Sequence, residues 1–155
     1  MPSILFICTG NQYRSPIAAE TFRGQLIRHG CIAQWQVGSA GTWTYSGQRV
    51  LSEAAELARS FGINIDGHIT HMINSQMLEY ADSVLVMEEG HKESIQAEFP
   101  FARRKIHLLS QVVEGIVYDI PDPAGAGRES RSIIRELIGM VRTGYGNIYR
   151  MVELV

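Results

Sequence analysis

The run Ile4-Leu5-Phe6-Ile7 and the nine residues after it, Cys8-Thr9-Gly10-Asn11-Gln12-Tyr13-Arg14-Ser15-Pro16, leave few folds open. Four consecutive apolar residues have the length and composition of a buried strand, and the sequence from Pro16 to His29, stopped by Gly30, reads as a helix. Strand, short loop and helix in that order form half of a βαβ unit, and the loop lies where a helix N-terminus opens. Such a loop turns several backbone N–H groups toward one point, where the helix dipole also favours negative charge. An oxyanion held there has Cys8 beneath it and the Arg14 guanidinium fork beside it. The same field favours the thiolate form of Cys8 and makes it a nucleophile suited to phosphate. Cysteine is also common in apolar strands, and a Cys-x5-Arg spacing alone arises by chance. The surrounding residues favour the loop reading: Gly10 and Asn11 tolerate backbone conformations that others resist, Pro16 fits a first helical turn, and Ser15 suits a helix cap or a hydrogen bond to a thiolate or anion.

The rest of the chain alternates in the same way. Strands are expected at Ser3–Ile7, Gln34–Ser39, Ser83–Met87 and Lys105–Leu109. Helices are expected at about Arg49–Phe61, Gly90–Glu98 and Arg128–Val141, the last resuming toward Met151, with a brief one capped by Asn74 and ending near Tyr80. This predicts a single α/β domain over residues 1–155, a four-stranded parallel sheet with helices on both faces in a Rossmann-like three-layer arrangement. Ligands of such sheets bind beyond the carboxyl ends of the strands, where Cys8 falls. The 155 residues, 45% of them hydrophobic, suffice for one well-formed core. A net charge of −2 argues against a mainly electrostatic nucleic-acid or membrane partner. Two cysteines, Cys8 and Cys31, are too few for a disulfide scaffold, and a reactive thiol requires a reducing compartment. With no leader pattern and no long apolar run, a cytoplasmic protein is expected.

Cys8 to Pro16 resembles the active-site loop of the low-molecular-weight protein tyrosine phosphatases, Cys-x-Gly-Asn-x-Cys-Arg-Ser-Pro, with Tyr13 in place of the second cysteine. The resemblance continues through Val37-Gly38-Ser39-Ala40-Gly41-Thr42, Gly67-His68, Ser83–Glu88 and Lys105–Leu109 to Ile120-Pro121-Asp122-Pro123. The Ile-Pro-Asp-Pro form, with Met87-Glu88-x-x-His91, is similar to bacterial members linked to exopolysaccharide production. The resemblance implies the phosphotyrosine protein phosphatase I-like fold and a phosphotyrosine protein as substrate, with a tyrosine kinase of polysaccharide export as a possible partner. It also implies a cysteinyl-phosphate intermediate, with Cys8 as nucleophile, Arg14 binding phosphate and Asp122 as general acid and base. Thr9, Gly10, Asn11, Gln12, Tyr13 and Ser15 would cradle the substrate, and His68 would support Asn11 or Ser15. No metal or cofactor is needed, because Arg14 and the loop amides supply the positive field.

Asp122 stands between two prolines, so it lies in a loop, and Asp119 is the rival carboxylate without the following proline. Some features depart from the family pattern. His71 stands where members often carry arginine, and Ala124-Gly125-Ala126-Gly127 replaces an aromatic that lines the entry in many of them. Trp43 and Tyr45 are candidates to supply that aromatic contact. Two other readings stay open at this stage. One is an arsenate reductase drawing on an external thiol, since Cys31 offers no credible relay. The other is a phosphate-binding module without catalysis, which would be expected to have lost Cys8 or Asp122.

Overall fold

In the computed structural model, which describes residues 1–154, four parallel strands make one sheet: β1 (Ser3–Cys8), β2 (Gln36–Gly41), β3 (Ser83–Val86) and β4 (Ile106–Leu108). Their order across the sheet is β2-β1-β3-β4, so the chain leaves β1 toward one side and later returns to its other side. The register pairs Cys8 with Gly41 and Ile7 with Val86. The crevice between the ends of β1 and β3 is therefore the switch point of the sheet, the usual place for a ligand in an open α/β fold.

Side chains alternate across the sheet with period two, and each face closes its own core. Ile4, Phe6 and Cys8 face a core built with α1 (Arg14–Arg28), α2 (Ser52–Ser60), α5 (Leu109–Glu114), α6 (Glu129–Thr143) and α7 (Tyr145–Glu153). Leu5 and Ile7 face the second core, with α3 (Ser75–Tyr80) and α4 (Glu89–Glu98). Phe22 is wholly buried, its ring centroid 5.9 Å from that of Phe6 and 5.5 Å from those of Trp35 and Tyr145. Truncating such a ring costs about 3–5 kcal/mol, so this aromatic cluster fixes α1 against the sheet.

Local signals set the ends of several elements. Gly30 (φ 73°) and Gly62 (φ 78°) take the left-handed conformation after α1 and α2. In each case the N–H groups of the glycine and its successor return to the last turn, with Cys31 N bonded to Leu26 O at 2.8 Å and Ile63 N to Ala58 O at 2.9 Å. Asn74 caps α3 by accepting from Met77 N at 2.8 Å. At the other end of α3 the Lys105 ammonium donates to the carbonyls of Leu78, Glu79 and Ala81.

Several expected boundaries move. Residues Ile32–Gln34 wind into a short 3-10 turn, so β2 begins at Gln36 and runs on to Gly41 rather than covering Gln34–Ser39. Arg49 pairs in an antiparallel bridge with Ile69, which holds it extended and delays α2 to Ser52. β4 ends at Leu108, and Leu109 already opens α5, a helix the apolar run Ile106–Leu109 conceals. Ser15 lies inside α1, behind Tyr13 at the cap position, so it does not cap the helix.

Candidate active site

The loop after β1 reverses at Asn11, whose φ of 57° is positive and whose side chain is fully buried. Asparagine is one of the few residues with a side chain that accept this conformation, and here the side chain also holds it in place. Asn11 Nδ2 donates to Ser15 Oγ at 2.8 Å and to Ser39 Oγ at 3.0 Å, while Oδ1 accepts from His71 N at 2.9 Å. His68 Nε2 lies 2.9 Å from Asn11 O and 3.2 Å from Asn11 Oδ1, and burial lowers the His68 pKa. Ser15 Oγ lies 3.0 Å from Cys8 Sγ, placing a hydroxyl beside the sulfur. Gly41 lets these strands come together, since a Cβ there would sit 2.5 Å from Thr9 O and 3.2 Å from Asn11 Cβ.

Arg14 closes the other end of the loop and is 2% exposed. Its Nη1 donates to Glu88 Oε2 at 2.5 Å and to Ile120 O at 2.7 Å, which leaves Nε–H and Nη2–H as the donors for an oxyanion. The bond to Ile120 O also ties the phosphate loop to the segment carrying Asp122. A narrow cavity of about 80 Å³ opens over the sulfur, lined by Cys8, Gly10, Gln12, Tyr13, Arg14, Leu51, Asp122 and Ala124. Asp122 is exposed at its rim, with Oδ1 accepting from Ala124 N at 3.0 Å. Asp119, the rival carboxylate, does not line the cavity and accepts from Glu89 N at 2.8 Å, at the start of α4.

Nine of the expected site residues fall into two groups. Cys8, Gly10, Gln12, Tyr13, Arg14 and Asp122 line the cavity, while Asn11, Ser15 and His68 stand behind it. Trp43 and Tyr45 do not line it and are 82% and 80% exposed; the aromatic wall is Tyr13, whose pKa burial raises. Thr9 is held from outside the cavity, its hydroxyl 2.8 Å from His91 Nε2. Leu51, Ala124, Ser39, Glu88 and His91 complete the arrangement. Leu51 carries no chemical signature in sequence, but Glu88 and His91 stood within a recognisable motif whose place in the fold only the three-dimensional arrangement discloses. Among the described residues no group of three or more His, Cys, Asp or Glu side chains is placed to hold a metal ion. A wider groove of about 530 Å³, lined in part by His68, His71, Arg23 and Ser39, contains neither Cys8 nor Asp122.

Residues 3–152 match the model of the family described as low molecular weight phosphotyrosine protein phosphatase. The chain belongs to that family. Across 136 residues it is 35% identical to a putative low molecular weight protein-tyrosine-phosphatase of Klebsiella pneumoniae, covering 88% of this chain and 89% of that one. It is equally, 35%, identical over 122 residues to a protein-arginine-phosphatase of Geobacillus stearothermophilus, covering 79% and 78%. The fold is similar to that of a YwlE mutant from Bacillus subtilis, with a TM-score of 0.88 at 29% identity over 96% of this chain and 99% of the other. Members of the family are hydrolases.

Proposed function

We propose that the chain hydrolyses phosphotyrosine in proteins through a cysteinyl-phosphate intermediate. The observation that carries this reading is one small cavity with the Cys8 sulfur, the free donors of Arg14 and the Asp122 carboxyl on its lining. The loop amides and Arg14 hold the non-bridging oxygens, and Cys8 thiolate attacks phosphorus in line. An S–P bond forms as the P–O bond to tyrosine breaks, and Asp122 gives its proton to the departing phenolate oxygen. Water then attacks phosphorus, the S–P bond breaks, and Asp122 takes the proton back. The Ser15 hydroxyl, 3.0 Å from Sγ, stabilises the thiolate both before attack and as it leaves. Because the chemistry runs on a thiolate, we place the protein in a reducing, cytoplasmic setting; among the described residues no helix is long and apolar enough to cross a membrane. A tyrosine kinase of polysaccharide export is the partner that the Ile-Pro-Asp-Pro and Met-Glu-x-x-His segments favour.

A second reading, phosphoarginine as substrate, is favoured by the equal identity to a relative named as an arginine phosphatase and by Ala124 at the cavity wall, where the family resemblance would place an aromatic. It uses the same residues on a P–N bond. The deciding experiment measures release of inorganic phosphate from matched phosphotyrosine and phosphoarginine peptides, in metal chelator, by wild type, Cys8→Ser and Arg14→Lys. Turnover of the phosphotyrosine peptide that vanishes in Cys8→Ser, with phosphate still bound by that variant, supports the proposal. Loss of phosphate binding in Arg14→Lys is expected as well, since an ammonium lacks the planar fork. Turnover retained by Cys8→Ser would overturn the mechanism, and preference for phosphoarginine would overturn the substrate.

A further inference from the structure

Glu88 and His91 lie just beyond the end of β3, across the switch-point crevice from Cys8, and between them they touch both ends of the phosphate loop. Glu88 bonds Arg14 at one end, and His91 bonds Thr9 at the other, across 82 residues of sequence. The imidazole is 5% exposed, and both ring nitrogens are engaged. Glu88 N–H donates to Nδ1 at 3.1 Å, and an N–H can only donate. Nδ1 is therefore unprotonated, so the neutral ring carries its proton on Nε2 and donates it to Thr9 Oγ1 at 2.8 Å. On its other side Thr9 O accepts from Trp43 N at 3.1 Å, so Thr9, the residue that follows the nucleophile, is held from two directions.

We propose that His91 is a positioning residue for the phosphate loop: its Nε2–H, set in that tautomer by the Glu88 amide, fixes the Thr9 hydroxyl and with it the first loop amide beyond Cys8. His91 acts through Thr9 and does not touch the reacting atoms. Preorganised amides stabilise an oxyanion only if they already converge on it, and a loop with one end released must be reordered each time an anion binds. The inference rests on reading the loop as the phosphate site, and its consequences appear in binding as well as in turnover.

The test is calorimetry with inorganic phosphate, and kcat/KM on an aryl phosphate, for Thr9→Val, Thr9→Ser, His91→Asn and Thr9→Val combined with His91→Asn. Valine keeps the branched shape and deletes the hydroxyl, while serine restores the hydroxyl alone. Thr9→Val and His91→Asn should each weaken phosphate binding about five- to tenfold, the scale of one buried hydrogen bond. The double variant should be no weaker than either single one, and Thr9→Ser should remain near wild type. Nitrogen-15 spectra of the wild-type ring should show the neutral Nε2–H form, a signature independent of variant folding. An Nδ1–H tautomer, unchanged phosphate binding in Thr9→Val, or additive losses would overturn the proposal. A wild type that binds phosphate with this variant pattern yet hydrolyses nothing would refute the hydrolase reading and leave the positioning role standing.

Discussion

Lowering the pH should remove stability from this protein through His91, and the amount can be worked from its surroundings. Burial and the neighbouring Arg14 lower the His91 pKa from 6.5 to about 4, while Glu88, Asp119 and Asp122 pull the other way. The folded value lies below the unfolded one, so between those limits the unfolded chain takes up a proton that the native ring refuses. Stability therefore falls as the pH drops through that window and levels off below it, by about 3 kcal/mol in all at 1.36 kcal/mol per pH unit. For a chain of this size that corresponds to a fall in Tm of about 10 °C. His91→Gln removes the titration but also gives up well-formed hydrogen bonds, so it should be less stable than wild type at neutral pH by about 1–2 kcal/mol. The two stability curves should then cross near about pH 5, since the variant escapes the acid penalty. Urea melts of both proteins between about pH 4 and about pH 7 measure the difference, and carboxylates common to both cancel. Parallel curves with no convergence would show that the ring is not held neutral by burial, and the reasoning would fail.

Loss of Asp122 should hurt most where the leaving oxygen is most basic: Asp122→Asn should slow the phosphorylation step on phosphotyrosine by ~10²-fold and on an activated nitrophenyl ester by less, in single-turnover assays. Asp119→Asn should leave that step nearly intact and lower stability by only about 0.3–1 kcal/mol, because the asparagine oxygen still accepts from the Glu89 amide and only the negative charge at the start of α4 is lost. Peroxide should inactivate the enzyme at Cys8 without forming an intramolecular disulfide: Cys8 precedes α1 and Cys31 follows it, and its 15 residues separate them by about 22 Å, far beyond bridging distance. A Cys8–Cys31 bridge in the mass spectrum of oxidised monomer would contradict this. Gly41→Ala should lower stability by about 1–3 kcal/mol and depress activity together, because its Cβ meets Thr9 O at 2.5 Å; normal activity in this variant would mean the loop is not held against β2.

What the sequence disclosed about the fold is what short-range chemistry controls. Ile4 to Ile7 could only be a buried strand, Gly30 and Gly62 end helices because they adopt positive φ, and Asn74 starts one because its side chain accepts an amide. The parallel order followed from alternation of strand and helix. The helix α5 has no local signal in the sequence, because Leu108 ends a strand and Leu109 begins a helix with no glycine, proline or polar residue between them. The start of β2 was misplaced for a related reason, since Ile32-Ala33-Gln34 carries no local mark that separates a 3-10 turn from an extended run. Nothing near Arg49 in sequence marks it as extended, because its antiparallel partner, Ile69, is twenty residues away and belongs to another segment.

The site divides along the same line. Cys8, Gly10, Asn11 and Arg14 are legible because one loop carries them and each residue type answers a local need. The geometry of Arg14 is not local: its Nη1 is bound by Glu88 from the end of β3 and by Ile120 O from the approach to Asp122. This one guanidinium therefore holds three segments in register, and in the mechanism proposed above the acid is positioned by the same side chain that binds phosphate. Replacing Arg14 must then disturb Asp122 as well, which is why no single substitution at Arg14 isolates phosphate binding from proton transfer. Glu88→Gln offers a cleaner separation, since it weakens the grip on Arg14 while leaving the bond to Ile120 O in place.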